Sequence, residues 1–395
     1  MSVHEPSCIA ISCRPARCRE ARKVKVLHVH DSDLDDPRIV NAAVTGKKAG
    51  YEPHFCGVRT ADHMDSDVFA SYHYIDFTSK AKISRRVTGT SLDRLWPLYP
   101  WPKEAMLAER RMKQVADEVR PDIIHAHNIF AAWHCRMLGI PMVLDDHELF
   151  SFQVRISGAK GFKAAERERR WADKERELAS RHPVITVSEP IAEHYRQFTS
   201  KAFCVPNYPM NDEINPGTGI NPSTAGDLVS IYLGADSMHN PNPIRNITGL
   251  HDIFGASAGR LVRIGVKSPN NSTVRSVGNI PMADAYEIMI RQGHVGLLPW
   301  QKHWFHRYVS PNKIGEYARC GLLPFVISDV DFVIGELAGH CETFDDYGQL
   351  REKLAYYGSN GEDLDKKRRA LLTFAKSHLA WEKYEGRILE AYKAA

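Results

Sequence analysis

Long apolar runs are missing from this chain of 395 residues. Nothing approaches the ~18 consecutive apolar residues that a membrane-spanning helix requires, so we predict no such helix. The eight cysteines are scattered and form no CxxC pair, which argues against a zinc ribbon and against a disulfide framework. The apolar piece near the N-terminus is too short for the h-region of a signal peptide. We therefore expect a protein of the reducing cytoplasm.

A strong excess of one charge is also missing. The formal net charge is only +4, whereas a nucleic-acid-binding protein usually has a larger and more localised basic excess. We therefore expect no nucleic-acid partner. An apolar content of 43% and a charged content of 25% are typical of a soluble globular protein, and the length predicts two domains. We interpret residues 1–22 as a disordered basic tail.

From residue 24 onward, short apolar runs alternate with helical stretches, which predicts parallel sheets covered on both faces. A turn-rich stretch at 210–227 interrupts this alternation and is the best linker in the chain. We predict an N-terminal α/β domain at 23–212, a linker at 213–227 and a C-terminal α/β domain at 228–375. The strands predicted on either side of the linker include 24–30, 121–127, 141–147, 228–234, 260–266, 272–278, 294–300 and 322–328.

Polar residues follow several predicted strands, in "HVHDSDLDDPR" (28–38), "HAHN" (125–128) and "DDHELF" (145–150). Because the carboxyl ends of parallel strands meet at one edge of a sheet, the cleft between the halves is the expected site.

The histidine pairs in these stretches allow two interpretations. Histidines spaced i, i+2 on a strand share a face and can bind metal, as in a metal-dependent hydrolase. A barrel of that kind needs uninterrupted strand–helix units, and the linker breaks them. In the other interpretation His28 and His125 pack in the core, while His30 and His127, nearest the strand ends, are functional.

The stretch "SPNKIGEYARCGLLPFVISD" (310–329) reads as a helix followed by a buried strand. Ser310 is predicted as N-cap, Pro311 suits the first helical position, and Gly321 is a plausible helix stop. A spacing of four places Asn312 and Glu316 on one face beside the helix N-terminus. This arrangement suits a phosphate-bearing ligand.

A strongly charged helix is predicted at 162–181, and nine basic and five acidic residues lie between Arg155 and Arg181. The simpler interpretation is a solvated helix with ion pairs at i, i+4. The alternative is a peripheral contact with anionic lipid, which would place the protein at the inner membrane surface.

Several of these stretches together resemble one family, the group-one retaining glycosyltransferases of the GT-B fold, in the subgroup that carries SPNK-x-x-EY. The resemblance rests on "DDPRI", "RPDIIHAHN", "IPMVLDDHELF", "PVITVSEPIAEHYRQ" with "VPNYP", "VGLLPW", "SPNKIGEYARCGLLPFVISD" and "LAWEKYEGRILEAY", which occur in the family's order. It implies two doubly wound, Rossmann-like parallel-sheet domains facing across a cleft, and a C-terminal helix at 376–395 that crosses back to the N-terminal domain.

The resemblance also implies a function: transfer of a hexose from a nucleotide-diphosphate sugar with retention, in polysaccharide biosynthesis or a related pathway. The acceptor would be a glycan, a lipid-linked sugar or a small molecule, bound by the N-terminal domain. Departure of a diphosphate needs positive charge and N–H dipoles, so no cofactor and no metal are expected.

The residues implied by the resemblance fall into three groups. The predicted catalytic residues are His127, Glu148 and Lys313. The predicted donor-binding residues are Ser310, Asn312, Lys313, Glu316, Arg245 and Tyr308, with Glu316 holding the ribose hydroxyls. The predicted acceptor-binding residues are His30, Asp31, Arg38 and His147.

The sequence departs from the family pattern at Tyr308. This position, eight residues before Glu316, usually holds a second glutamate that contacts the donor sugar, and Ala235 and His294 depart from the pattern elsewhere. These departures motivate an alternative: a catalytically silent binding protein with the same fold.

Overall fold

The computed structural model describes residues 22–34, 36–58, 66–75, 102–156, 160–215, 217, 219–224, 226–234, 244–254, 258–265 and 270–395. The predicted tail, apart from Arg22, lies outside these residues, and so does Ala235. Within the described ranges, no helix is long and apolar enough to cross a membrane.

The N-terminal part of the chain forms a sheet that has seven strands in the described residues, all parallel, in the order β3-β2-β1-β4-β5-β6-β7. The strands are β1 Lys25–His30, β2 Glu52–Gly57, β3 Tyr72–Tyr74, β4 Ile123–His127, β5 Met142–Asp146, β6 Val184–Thr186 and β7 Ala202–Cys204. The helices are α1 Pro37–Lys48, α2 Pro102–Val119, α3 Asn128–Cys135, α4 Phe150–Ile156, α5 Phe162–Arg181 and α6 Glu189–Arg196.

The C-terminal part forms a second parallel sheet, with six strands in the described residues and the order β10-β9-β8-β11-β12-β13. Its strands are β8 Val229–Leu233, β9 Arg260–Ile264, β10 Val274–Gly278, β11 Val295–Leu298, β12 Leu323–Ile327 and β13 Glu342–Phe344. The helices are α7 Met282–Gln292, α8 Asn312–Arg319, α9 Asp331–Glu336, α10 Tyr347–Ser359, α11 Gly361–His378 and α12 Glu385–Ala394. Short 3-10 turns lie at Leu250–Ile253, Trp304–Tyr308 and Trp381–Lys383.

The predicted α/β class with two doubly wound parallel sheets is confirmed. In both sheets the strand order reverses beside the first strand, between β1 and β4 and between β8 and β11. Such switch points leave a crevice at the carboxyl ends of the strands, where ligands bind in open α/β sheets.

Helix α8 begins one residue later than predicted. Pro311 occupies the N-cap position, no side chain caps the helix, and Asn312 is the first helical residue. The predicted stop is found: Gly321 has φ +74°, its N–H donates to Ala318 O (3.2 Å), and the N–H of Leu322 donates to Tyr317 O (2.9 Å). This pair of bonds is a Schellman motif, which needs a residue that tolerates positive φ.

Two glycines allow α8 to pack closely on its surroundings. A Cβ on Gly296 of β11 would lie 2.3 Å from Cγ of Tyr317, and a Cβ on Gly315 would lie 2.8 Å from Cδ of Pro209. Helix α8 is therefore held between the second sheet and the segment that leaves the first sheet. Its position depends on both halves of the chain.

The C-terminal helix α12 packs on the N-terminal half, as the fold prediction stated. The indole N–H of Trp381 donates to Thr45 Oγ1 of α1 (2.9 Å), and Arg387 donates to the carbonyl oxygen of Cys204 at the end of β7. Tyr392 lies beneath the first sheet and pairs with His125 (2.9 Å).

Helix α5 covers the residues predicted for it, and many of its charges pair along the helix. Glu166 accepts from Arg169 (3.0 Å) and Arg170 (2.8 Å), and Asp173 pairs with Arg169 (2.9 Å). This is the pattern expected of a solvated helix. The alternative contact with lipid stays a prediction.

Candidate active site

A cavity with a volume of about 540 Å³ lies between the two sheets. Its N-terminal side includes the residues that follow β5, and its C-terminal side includes the start of α8. The lining residues used below are Asp36, His147, Glu148, Val187, Ile191, Ile244, Arg245, Phe305, Tyr308, Val309, Ser310, Asn312, Lys313 and Glu316.

The start of α8 gives this cavity a positive end. The first N–H groups of a helix lack partners within the helix, and the helix dipole adds partial positive charge there. The ammonium group of Lys313 lies over the rings of Tyr232 (4.6 Å) and Trp300 (5.4 Å), which fixes its position by cation–π contact. Arg245 lines the same cavity. Together these groups can bind a diphosphate.

Glu316 stands one turn further along α8. Burial raises the pKa of its carboxyl group, the negative charge of Glu213 adds to this effect, and the resulting pKa is about 7 although Lys313 acts in the opposite direction. The hydroxyl of Tyr286 donates a hydrogen bond to Glu316. A half-buried carboxylate here can accept hydrogen bonds from a diol such as the ribose of a nucleotide.

On the N-terminal side, the imidazole of His147 faces the cavity between two carboxylates. Its Nδ1 lies 3.3 Å from Asp36 and its Nε2 lies 3.6 Å from Asp145. Burial acts to lower the pKa of His147, but Asp145 and Asp36 outweigh it and raise the pKa to about 10. His147 is therefore a cation at neutral pH and cannot act as a general base.

Beneath His147 lies a buried layer of polar side chains on one face of the first sheet. The strand register pairs His28 with His125 and His127 with Asp145. Nδ1 of His28 lies 3.1 Å from Nε2 of His127, and Nδ1 of His127 lies 3.4 Å from Asp145. Burial lowers the pKa values of His28 and His127 well below the usual range, so both rings are neutral.

Arg38 supplies the positive charge of this layer. Its guanidinium group binds both oxygens of Asp145, at 2.7 to 3.1 Å, and also donates to the carbonyl of Val205 and to Asn207. Burial acts to raise the pKa of Asp145, but Arg38 and His147 outweigh it and hold the pKa well below its usual range. Arg38 is thus committed to a buried ion pair.

The composition of this layer is that of a metal site, because ligand atoms of His28, His125 and His127 lie within 4.8 Å of one another. The ring planes argue against that use. His125 and His127 stack with centroids 4.3 Å apart and planes inclined by 16°, so their in-plane lone pairs cannot converge on one ion. A second candidate group contains Asp145, whose two oxygens already bind Arg38. The geometry is that of a hydrogen-bonded network.

The cavity brings together eight of the predicted site residues, from both halves of the chain: His147, Glu148, Arg245, Tyr308, Ser310, Asn312, Lys313 and Glu316. Four others lie elsewhere. Arg38 lines a smaller neighbouring pocket, and His30, Asp31 and His127 line neither. His127, which was predicted to be the functional member of its pair, is fully buried, as is His125. The reason is that both project from the same face of β4.

Asp146, which directly precedes His147, does not line this cavity. Its side chain points into the core instead, because residues alternate along β5, and it accepts a 2.5 Å hydrogen bond from Tyr195. His30 and Asp31, which also lie outside the cavity, contact neighbouring residues. Nδ1 of His30 lies 3.2 Å from the carbonyl oxygen of Asp33, and Asp31 accepts a hydrogen bond from the side chain of Asn128 (2.7 Å).

Sequence reasoning missed several residues of the site. Asp36 and Asp145, which charge His147, and Glu213, which acts on Glu316, were not assigned roles. Asn128 was quoted but not assigned, although its φ of +67° is unusual for a residue other than glycine. Strained positions of this kind concentrate at functional sites. Only the strand-end position of Asn128 was visible in the sequence.

Comparisons with known proteins agree with this architecture. Residues 38–207 match the family model Glycosyltransferase Family 4. A comparison with curated protein sequences found no significant match. Among solved structures, sucrose-phosphate synthase from Thermosynechococcus elongatus is 12% identical, with a TM-score of 0.64 over 94% of this chain and 98% of that one. HepE from Anabaena, in complex with UDP and glucose, is 12% identical and has a TM-score of 0.62. The match covers 94% of this chain and 100% of HepE.

A third structure, the N-terminal domain of trehalose-6-phosphate phosphatase from Candida albicans, is 9% identical, with a TM-score of 0.65 over 95% of this chain and 97% of that one. At such identities the likeness concerns the fold. The chain has the GT-B fold. The cavity described above lies between the two sheets of this GT-B chain, with the start of α8 on one side and the end of β5 on the other.

Proposed function

We propose that this protein is a metal-independent, retaining glycosyltransferase that moves a hexose from a nucleotide-diphosphate donor to a hydroxyl group of an acceptor. The observation that carries the proposal is one interdomain cavity that joins the positive start of α8 and Glu316 to His147 and Glu148. The Family 4 match, and the complexes of HepE with UDP and with UDP-glucose, support the same donor class.

In this proposal the C-terminal side of the cavity binds the donor. Glu316 accepts hydrogen bonds from the ribose hydroxyls. Lys313, Arg245 and the N–H groups at Asn312 bind the two phosphates, so that positive charge is in place where negative charge develops as the diphosphate leaves. This supplies the electrostatic stabilisation that a metal ion would otherwise give.

The N-terminal side would receive the acceptor. Glu148 is a carboxylate on this side of the cavity, and Gln153 donates to it (2.7 Å). The acceptor oxygen bonds to the anomeric carbon while the bond from that carbon to the diphosphate breaks, on the same face of the sugar, as retention requires. We assign Glu148 the proton of the attacking hydroxyl, because His147 is already protonated. The imidazolium of His147 would stabilise negative charge on the leaving phosphate or on the acceptor.

The acceptor in this proposal is a glycan, a lipid-linked sugar or a small molecule, and the setting is polysaccharide biosynthesis in the cytoplasm. A lipid-linked acceptor would be met at the inner membrane surface, where the basic residues of α5 would contact anionic lipid.

The proposal is tested by thermal unfolding of the purified chain with UDP-, GDP- and dTDP-sugars. A ligand that binds only the folded state at 100 times its Kd adds about 2.7 kcal/mol of stability. We expect stabilisation by at least one donor, slow hydrolysis of the same donor, and no loss of either in the presence of EDTA. The absence of stabilisation and hydrolysis with every donor would overturn the proposal.

The variant Glu316→Ala separates an enzyme from a silent binding protein. We expect it to abolish turnover, whereas Glu362→Ala, which removes an exposed glutamate of α11, should leave turnover unchanged. A wild-type protein that binds a donor but turns over none, with acceptors of all three classes present, would favour the silent alternative.

A further inference from the structure

One wall of the cavity is made almost entirely of apolar side chains. We call it the apolar wall; it consists of Val187, Ile191, Ile244, Phe305, Tyr308 and Val309. Val187 and Ile191 come from the N-terminal half, and the others come from the C-terminal half. The phenol hydroxyl of Tyr308 is the single polar side-chain group among these six residues.

Chain connectivity places the apolar wall next to the diphosphate site. Ile244 directly precedes Arg245, and Val309 directly precedes Ser310, so their Cα atoms lie about 3.8 Å apart. Glu316, proposed to hold the ribose, marks the nucleoside side of the site. In this orientation a sugar bonded to the far phosphate would lie on the side away from Glu316, next to the apolar wall.

The apolar wall is held in place from behind. The imidazole of His306 is fully buried, its Nε2 donates to the carbonyl oxygen of Ile244 (2.6 Å), and its Nδ1 lies 2.8 Å from a carboxylate oxygen of Asp329. The hydroxyl of Ser188 donates to the carbonyl oxygen of Tyr308 (2.7 Å). The bond from Ser188 joins the two halves of the wall, and the contacts of His306 hold its C-terminal part, so the shape of the wall exists before a ligand binds.

The ring of Tyr308 also packs within an aromatic cluster. Its centroid lies 5.2 Å from that of Phe152 and 5.5 Å from that of Phe305. The glycosyltransferase family that the sequence resembles usually has a glutamate at this position. Its carboxylate would accept hydrogen bonds from sugar hydroxyls. A phenol ring offers an apolar face instead. Hydroxyl groups pressed against the wall would lose water without gaining equivalent partners.

We propose that the donor sugar carries a methyl group on the face that meets the apolar wall. That methyl is either the C6 methyl of a 6-deoxy hexose or the methyl of an acetamido group, and burial against Phe305 and Tyr308 favours it over a hydroxyl. This inference rests on the proposed function and names the class of sugar for the same site.

The experiment measures Kd for two pairs of nucleotide sugars by calorimetry on the full chain. UDP-N-acetylglucosamine is compared with UDP-glucose, and GDP-rhamnose with GDP-mannose. Each pair shares its nucleotide, so the ratio of Kd values isolates the methyl-bearing group. We expect the methyl-bearing member to bind at least tenfold more tightly in one pair, and the pair concerned identifies the source of the methyl.

The variant Tyr308→Glu should abolish or reverse the preference, while Tyr308→Phe should keep it. If the glutamate variant does not fold, the wild-type ratios still decide. Equal or tighter binding of the fully hydroxylated member in both pairs would overturn this inference and leave the glycosyltransferase proposal standing. Failure of all four compounds, and of every donor in the wider panel, would overturn both.

Discussion

At the scale of single residues, Glu316 has an environment that makes its charge depend on pH near neutrality. Burial and the nearby charge of Glu213 raise the pKa of Glu316 to about 7, while Lys313 opposes them. Only the ionised form can accept both hydrogen bonds from a ribose diol. Donor binding must therefore be linked to loss of a proton from this group.

We predict that the affinity for a nucleotide sugar rises as the pH increases from 6 to 8. With a pKa of about 7 in the free protein, Glu316 is mainly protonated at pH 6 and mainly ionised at pH 8. The expected gain is about tenfold, as one pKa unit corresponds to a factor of ten in the equilibrium. Calorimetric titrations with UDP-glucose suit the measurement, because its pyrophosphate does not titrate in this range.

Two variants are the controls for this pH profile. Glu316→Gln removes the titrating group and should flatten the profile. Glu213→Gln removes a negative charge that raises the pKa of Glu316, so the rise in affinity should move to lower pH. A profile that keeps its shape in Glu316→Gln would show that another group is responsible.

The placement of residues in the cavity was predictable from sequence where it depends on local order along the chain. Lys313 and Glu316 lie within one motif, and that motif sets their spacing on α8. Arg38 and Asp145 are 107 positions apart, and their pairing depends on how α1 lies over the sheet. No local pattern records such a contact, so the sequence did not reveal the buried ion pair of Arg38.

At the scale of elements, α8 is placed by close packing at Gly315. The segment 207–209 passes so near that a Cβ on this glycine would lie 2.8 Å from Pro209 Cδ and 2.8 Å from Tyr208 Cδ1. Contacts under 3.0 Å require something to shift, and neither the proline ring nor the buried tyrosine ring can move easily. A side chain here would push the helix away from the segment.

We therefore predict that Gly315→Ala weakens donor binding at least tenfold, because Lys313 and Glu316 move with the helix. Overpacking typically costs ~1–3 kcal/mol, which exceeds the ~1 kcal/mol that alanine gains over glycine in a helix. Donor Kd and the free energy of unfolding should be measured together.

The matched control for this substitution is Gly386→Ala in α12, where a Cβ meets nothing within 4 Å. We expect unchanged donor binding and equal or higher stability, because only the helix propensity changes. Unaltered donor binding in Gly315→Ala would contradict the idea that the 207–209 segment positions α8.

Element types were well predicted from apolar runs and helix signals, but the start of α8 was not. Ser310 and Pro311 had been given the N-cap and first helical positions, and both lie before the helix. The predicted end of the helix at Gly321 was right, because it depends on a single residue that can adopt a positive φ. Start signals are weaker, since Ser, Pro and Asn are each acceptable at neighbouring positions near an N-terminus.

At the scale of the whole molecule, the chain crosses between the two halves twice, through the segment after β7 and again before α12. The second crossing returns α12 to the first sheet, where Tyr392 lies almost fully buried beside His125. The last helix in the sequence is therefore part of the N-terminal folding unit. Apolar periodicity alone did not predict that α12 returns to the first sheet. That prediction came only from the family resemblance.

We predict that Tyr392→Phe destabilises the N-terminal half and leaves the donor site intact. The phenol hydroxyl lies 2.9 Å from Nδ1 of His125, which is fully buried, and its removal leaves that nitrogen without this partner. A buried group left unsatisfied costs ~1–3 kcal/mol. Hydrogen exchange should accelerate at amides of β4 and β5 and stay unchanged in β11 and β12, with Kd for UDP-glucose also unchanged.

The control Tyr356→Phe, at a tyrosine that is 53% exposed on α10, should change neither hydrogen exchange nor donor binding. Faster exchange confined to the second sheet would mean that α12 is coupled to the other half of the molecule, and the assignment of the C-terminal helix to the N-terminal folding unit would then be wrong.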